Sequence, residues 1–439
     1  MGKLIQLKPI EPARHIKPIN YAVRSELDDV ADQIDEEYKR KNSKKRVRRL
    51  QIGDPGKYEH RTPILLKKNI LDTLEKEDCL SYGHSMGVPE IRDVIANNSK
   101  HIFGVSNQPV TRYDVGIGNG STELIDFCIA ALLNPGEGLL LPDPGYPVYD
   151  ALVMKYHGIP QFYSLREDDN WALDISELEK KVTKKTKGIV VINPGNPTGR
   201  NYRKRNLQKV RKFADEHGLI IFADEVYSYL NYDGKNHRPI ATLKGEYPVI
   251  TFGSLSKNYL SPGLRVGWMV RTDPNNLTQE YWDEAITKLA SMRLCSAPLL
   301  QHALRPAFED RITRQHTLLK NGVDTFVYKM KKNAELTYKM LNNKKAGISC
   351  SKPEASFYVF PKLELPEGVT DLDFARDLLI HKHIQVNNGS GFGPNGKGHI
   401  RVVFLPEYNI LKEAYAEIID FKMNFEENGK LKYAVDRAA

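Results

Sequence analysis

Short, wholly apolar runs alternate with amphipathic stretches through the middle of this chain. Gly138 to Leu141 is apolar and stops at Pro142-Asp143-Pro144-Gly145. Gly188 to Ile192 (GIVVI) stops at Pro194; Leu219 to Ala223 (LIIFA), Val249 to Phe252 and Arg265 to Val270 follow. Runs of this length, bounded by Gly, Pro or Asp, read as buried strands. Glu123 to Leu133, Ser176 to Thr183 and Arg203 to His217 read as helices. Buried strands alternating with helices predict an α/β fold, with a mainly parallel sheet covered on both faces. After about Ala297 the pattern changes. A long helical region through Asn343, then strand-like Ala355 to Phe360 and His399 to Phe404, predict a smaller α+β domain. Upstream, Asp28 to Lys41 reads as an exposed helix, and the chain turns at Gly53-Asp54-Pro55-Gly56. The expected division is an N-terminal arm with part of the small domain over 1–55, a large domain over 56–305 and a small C-terminal domain over 306–439.

Composition narrows the class. Of 439 residues, 41% are hydrophobic and 27% charged, as in ordinary globular proteins. No apolar run approaches the ~20 residues of a membrane span, and Met1 to Ile10 lacks the features of a signal peptide. The expected location is the cytoplasm, with no membrane partner. Four scattered cysteines, Cys79, Cys128, Cys295 and Cys350, show no CxxC or Cys/His cluster, so reduced thiols and no metal are expected. The net charge is +9, and much of the excess lies in Lys39 to Arg49 (KRKNSKKRVRR). No aromatics interleave with those charges to stack bases, so the run reads as a solvated helix end and no nucleic-acid partner is expected.

The densest chemistry is Ser254-Leu255-Ser256-Lys257, followed by Asn258 to Gly267 (NYLSPGLRVG). The lysine stands just past a buried strand, where α/β sheets bind ligands. Desolvating an ammonium is costly; a covalent imine removes that cost and anchors a carbonyl cofactor. Ser254 and Arg265 flank it as a hydroxyl donor and a guanidinium fork for a phosphate. Asp224, in Phe222-Ala223-Asp224-Glu225-Val226-Tyr227, ends another strand and can face a pyridinium nitrogen; Tyr227 can reach the ring's phenolic oxygen. Read alone, that motif equally fits an Asp opening a helix. Asn193-Pro194-Gly195-Asn196-Pro197-Thr198-Gly199 is a stiff turn that can fix Asn196 as a donor to the ring oxygen.

Gly116 to Thr122 (GIGNGST) leads into a helix and offers a phosphate cradle. With Asp143 near the end of the next strand it also imitates a dinucleotide site, but the glycines are spaced GxGxG rather than GxGxxG. Tyr146 can stack on a ring, and Tyr82 can donate to a phosphate. Arg401, inside the apolar stretch His399-Ile400-Arg401-Val402-Val403, suits a bidentate clamp on a substrate carboxylate; a solvent-facing strand position is the plainer alternative.

Together these strings resemble the class I/II pyridoxal-phosphate-dependent aminotransferases over about Asn20 to Phe425. Within that family they most resemble the bacterial and archaeal alanine (glutamate–pyruvate) aminotransferases. The telling strings are Leu289 to Cys295 (LASMRLC), Gln301-His302-Ala303, Lys352-Pro353 through Phe360-Pro361, and Asn20 to Arg24 (NYAVR). The resemblance implies the fold type I architecture: a large cofactor-binding domain with a mainly parallel, seven-stranded type of sheet, plus a smaller α+β domain. It implies pyridoxal 5'-phosphate held by Lys257 as a Schiff base, with Asp224 on the ring nitrogen and Asn196 and Tyr227 on the ring oxygen. Ser254, Ser256, Arg265 and the turn Asn119-Gly120-Ser121 would bind the cofactor's phosphate end, and Tyr146 would stack. The turn departs from the Ser/Gly-Ala-x form common in relatives.

Arg401, Asn196 and Gly53 would bind the substrate, and Tyr21 and Arg24 would close over it from an N-terminal arm. Tyr82 would cross to the other site of a homodimer. The implied reaction is a two-stage amino transfer between amino acids and 2-oxo acids, with Lys257 as general base. Three alternatives stay open. One is a carbon–sulfur lyase or an aminotransferase for aromatic, branched or acidic substrates. Another is a regulator using this fold as a sensor, although the stretch before Gly53 is short for a DNA-binding domain and linker. The third is a basic nucleic-acid binder.

Overall fold

The computed structural model describes residues 10–19, 21, 23–102, 109–232, 237–309 and 326–427. Its centre is an eight-stranded sheet. In chain order the strands are β1 (Val115–Asn119), β2 (Gly138–Asp143), β3 (Ile159–Arg166), β4 (Ala172–Leu173), β5 (Thr186–Ile192), β6 (Ile220–Asp224), β7 (Val249–Ser254) and β8 (Val266–Thr272). They lie side by side as β1-β8-β7-β6-β5-β2-β3-β4. The inner pairs are parallel, while β8 is antiparallel to both its neighbours. The expected seven strands gain an eighth: the two-residue β4 pairs antiparallel on the edge of β3.

Both faces of the sheet are dry, which explains the unbroken apolar runs. Side chains alternate between faces. Leu139, Leu141, Val190, Ile192, Phe222, Ile250 and Phe252 share one core cluster, whereas Leu140, Ile189, Val191, Ile221, Ala223 and Val249 share another. Helices Ser121–Leu132, Val148–Lys155 and Lys204–His217 carry the chain between strands.

A second core gathers helices Glu26–Arg40, Phe326–Leu341, Asp371–Lys382 and Tyr408–Glu427 around short strands. Ile400–Val403 is the middle of a three-stranded antiparallel sheet between Tyr358–Val359 and Asn387–Asn388. The strand-like stretch from Ala355 therefore shrinks to two residues. Ser25 and Asp28 form a capping box that starts helix Glu26–Arg40 two residues before the expected Asp28. The expected helix through Asn343 is seen from Phe326 to Leu341; residues 310–325 lie outside the described set, as do Asn20 and Ala22.

Part of the basic run is neutralised in place: Arg48 pairs with Glu417, and Arg49 with Asp32 and Asp35. The four thiols are unpaired. Among the described residues no helix is long and apolar enough to cross a membrane.

Candidate active site

Parallel strands end on one edge of a sheet, and here five of those ends deliver side chains to one cavity of about 560 Å³. Ser121 and Thr122 follow β1, Tyr146 follows β2, Asn196 follows β5, Asp224 closes β6, and Ser254, Ser256 and Lys257 follow β7. Tyr358 and Arg401 enter from the small three-stranded sheet, and Tyr21, Arg24 and Gly53 from the N-terminal stretch.

Asp224 and Lys257 emerge from neighbouring strands. Asp224 is in register with Ile192 on one side and Phe252 on the other. Its carboxyl is 4% exposed. Burial pushes it up to about 6 against the opposing pull of the Tyr149 hydrogen bond and the charge of Lys257. The residues after Asp224 form a turn and not a helix, so the helix-opening alternative falls. The Lys257 amine donates to Gly53 O at 2.5 Å. Gly53 has no room for a side chain, since a Cβ there would stand 2.1 Å from the Tyr358 hydroxyl.

Arg401 is 1% exposed, which rules out the solvent-facing alternative. It donates to Asn196 Oδ1 at 3.0 Å, to Gln51 O at 2.5 Å and to Asn387 Oδ1 at 2.8 Å. Its guanidinium lies 4.6 Å from the ring centres of both Tyr358 and Phe392. Its Nε is buried with no protein partner. With its oxygen committed to Arg401, Asn196 has its amide N–H groups left to offer.

A tyrosine cluster lines the remaining wall. Tyr21 and Tyr146 hydroxyls are 2.6 Å apart, and those of Tyr227 and Tyr358 are 3.0 Å apart. Burial raises the Tyr21, Tyr146 and Tyr227 phenols, so all stay protonated donors near neutral pH.

At the start of helix Ser121–Leu132 the backbones pack very closely: a Cβ on Gly267 would meet Ser121 N at 2.2 Å, and one on Gly120 would meet Arg265 Nη2 at 2.4 Å. Gly120 has φ +82°, a region that glycine tolerates and larger residues avoid. Arg265 donates to Asn119 O at 3.3 Å and to Pro262 O at 3.2 Å. Asn119 itself departs from expectation. Its side chain donates to the Glu123 carboxylate at 2.9 Å, and it does not line the cavity. Tyr82 is 83% exposed and lies outside the cavity of its own chain. Asp143 is no ribose acid: it accepts the Asn395 N–H at 3.0 Å, and a Cβ on Gly393 would come within 2.4 Å of its Oδ1.

Sequence reasoning passed over Tyr149, whose hydroxyl donates to Asp224 Oδ2 at 3.0 Å. It also passed over Tyr358 and the buried pair His237–Glu225 at 2.9 Å. Tyr149 lies one helical turn past Tyr146, a spacing that could have flagged it. Tyr358 looked like a strand residue among apolar neighbours and carried no signal.

The profile of the family Aminotransferase class I and II matches residues 46–415. The chain belongs to that family. It is therefore an enzyme, an aminotransferase dependent on pyridoxal 5'-phosphate, acting on amino acids and oxo acids. It is 34% identical over 384 residues to the glutamate-pyruvate aminotransferase AlaA of Haemophilus influenzae, covering 87% of this chain and 91% of that protein. The Escherichia coli AlaA protein is 31% identical over 417 residues, covering 94% and 98%. The solved alanine aminotransferase of Pyrococcus furiosus superposes with a TM-score of 0.85 at 34% identity, covering 94% of this chain and all of that one. The fold is that of these enzymes.

The raised Asp224 carboxyl sets a pH dependence. Its folded value, about 6, lies above the unfolded value of about 3.9. Asp224's own contribution to stability is thus full below about pH 4 and is lost as pH rises through about 6, by about 3 kcal/mol in all. In urea melts of cofactor-stripped protein, the stability difference between wild type and Asp224→Asn should change by about 2 kcal/mol between about pH 4.5 and pH 7, in favour of wild type at the lower pH.

Proposed function

We propose that this aminotransferase exchanges amino groups between alanine and 2-oxoglutarate, as a cytoplasmic homodimer with Lys257 holding the cofactor's aldehyde. The observation carrying the cofactor placement is the shared cavity, into which Lys257 and the buried Asp224 both project. Its volume, about 560 Å³, suits a cofactor with a small substrate. The alanine pair is supported by the names of the relatives that are 31–34% identical. Tyr21, laid against Tyr146, leaves little room for a long substrate side chain.

When bound, pyridoxal phosphate supplies an aldehyde that takes up the amino group and a ring that disperses the negative charge left on the substrate's α-carbon. Asp224 would hold the proton on the ring nitrogen. Asn196 and Tyr227 would donate to the ring oxygen, and Tyr146 would cover the ring face. Ser121, Ser254, Ser256 and Arg265 would hold the phosphate, with the Gly120 backbone beside them. Lys257, with its amine free, would take the α-proton and return it. Its contact with the Gly53 carbonyl keeps it on that face. Arg401 receives the α-carboxylate, using the Nε that has no protein partner, and Tyr21 and Arg24 flank it.

The dimer is supported by exposed apolar side chains in one region. Ile64 and Leu71 on helix Ile64–Leu74 stand near Leu80 and Tyr82, which adjoin Met292 and Leu294. Gly83 N–H contacts the Cys295 sulfur, and Ser85 lies 3.3 Å from Ser291. Apolar surface of this kind marks an interface.

Purified protein should be yellow, and Lys257→Ala should lose turnover; a colourless, fully active preparation overturns the assignment. In a screen of amino donors against pyruvate and 2-oxoglutarate, alanine should lead. Arg401→Gln should raise KM about tenfold or more for every donor, the scale of a lost charged hydrogen bond. A lead by aromatic or branched donors rejects the alanine reading. Light scattering should give twice the chain mass, and Tyr82→Phe should weaken cofactor retention in the dimer.

A further inference from the structure

Asp224 is braced from behind. Tyr149, 1% exposed, is the second residue of helix Val148–Lys155. Its hydroxyl donates to Asp224 Oδ2 at 3.0 Å. The other carboxylate oxygen receives only a long bond, 3.4 Å, from Val226 N–H. Among the described residues Tyr149 is the one side chain that hydrogen-bonds Asp224. Tyr149 does not line the large cavity. Its ring faces a small void with Leu141, Phe162 and Phe392, behind Tyr146. Whatever it does for the reaction therefore passes through Asp224.

We infer that Tyr149 is a positioning residue for transamination, its phenol fixing the Asp224 carboxylate and keeping it ionised opposite the cofactor's ring nitrogen. This rests on the reading of Asp224 given above. The surroundings make the brace necessary. Phe222 and Phe252, both fully buried, flank the strand end, and an apolar environment favours the neutral acid. A neutral Asp224 cannot hold a proton on the ring nitrogen by charge. A hydrogen bond to the ionised form opposes that tendency, by about tenfold or more in the ionisation equilibrium, or about one pH unit.

Other groups around Asp224 act by charge or proximity. Lys257, after β7, favours the ionised form; Glu225, next in the chain, disfavours it. Glu225 is itself bound to His237 at 2.9 Å. Tyr146 and Tyr227 are near neighbours that feel its charge. Tyr149 suits the task because burial and the adjacent Asp224 charge hold its own phenol well above the ordinary value, so it stays a donor. The local fold ties two jobs together: Tyr149 N–H donates to Tyr146 O at 3.3 Å, so a single turn places one tyrosine on the cavity wall and the next on the acid behind it.

Tyr149→Phe removes one oxygen and leaves the ring. Equilibrium dialysis of pyridoxal phosphate should show retention about tenfold weaker. The acid limb of the kcat profile should move up by about one pH unit, and kcat should fall while KM for the amino donor stays unchanged. Tyr149→His, which restores a donor, should recover part of the loss. In an Asp224→Asn background, Tyr149→Phe should change retention no further. Melting curves establish that each variant is folded.

A Tyr149→Phe enzyme with wild-type pH profile and retention overturns the inference. So does a loss that adds in full to that of Asp224→Asn, because it marks a purely structural tyrosine. A fully active Asp224→Asn enzyme overturns the underlying reading of Asp224 instead.

Discussion

The cost of taking charge out of water governs the layout of this protein. Arg401 is 1% exposed and Asp224 4%, and Lys257 is partly buried beside them. An isolated ion in such a place would shift to its neutral form or unfold its surroundings. Each is offset in its own way. Arg401 spends three hydrogen bonds on Asn196, Gln51 and Asn387 and lies between two aromatic rings. Asp224 has the Tyr149 phenol, and Lys257 has the Gly53 carbonyl. What stays unspent, such as Arg401 Nε, is capacity for a ligand carrying the complementary charges.

Sheet geometry makes that arrangement possible. Parallel strands gather their C-terminal ends on one edge, so residues far apart in sequence converge without long loops. The partners of these ions come from across the molecule. Asn196 belongs to the large sheet and Arg401 to the small one, yet they share a bond. Gly53, between helices Glu26–Arg40 and Ile64–Leu74, meets both Lys257 and the Tyr358 ring. The cavity is therefore a seam, and any displacement of the small sheet would change the clamp and the amine's anchor together.

Much of this was legible in the sequence, for identifiable reasons. The central strands are dry on both faces, so they read as apolar runs with turn residues at their ends. Lys257, Asp224 and Arg401 stood out because charge beside or within such runs has no packing explanation. The signal failed where it rested on something else. Strand β1 carries Gly116 and Gly118, which admit the close approach of Met269 and Leu124, and in the sequence these glycines read as a phosphate cradle rather than a strand. Strand β3 has a partly exposed face and begins Ile159-Pro160, which breaks the pattern of a buried run. Asn119 looked like a phosphate ligand by position but donates to the Glu123 carboxylate. Tyr358 and Tyr149 were invisible because a buried tyrosine among apolar neighbours resembles core, and only the three-dimensional partner of its hydroxyl gives it a task.

The charge scaffold also bounds where selectivity can reside. Every amino donor of such an enzyme carries an α-carboxylate and an α-amine, and the cofactor's ring nitrogen is the same for all, so groups that meet only these cannot tell one amino acid from another. Discrimination falls to whichever part of the cavity lining meets the substrate side chain; Tyr21, Arg24 and Tyr358 belong to that lining. There a single methylene is worth only about 1–3 kcal/mol. Tyr21 meets Tyr146 through both its hydroxyl and its ring and packs against the core beside the sheet. Preference for a small donor should then be graded, while dependence on the buried ions is absolute.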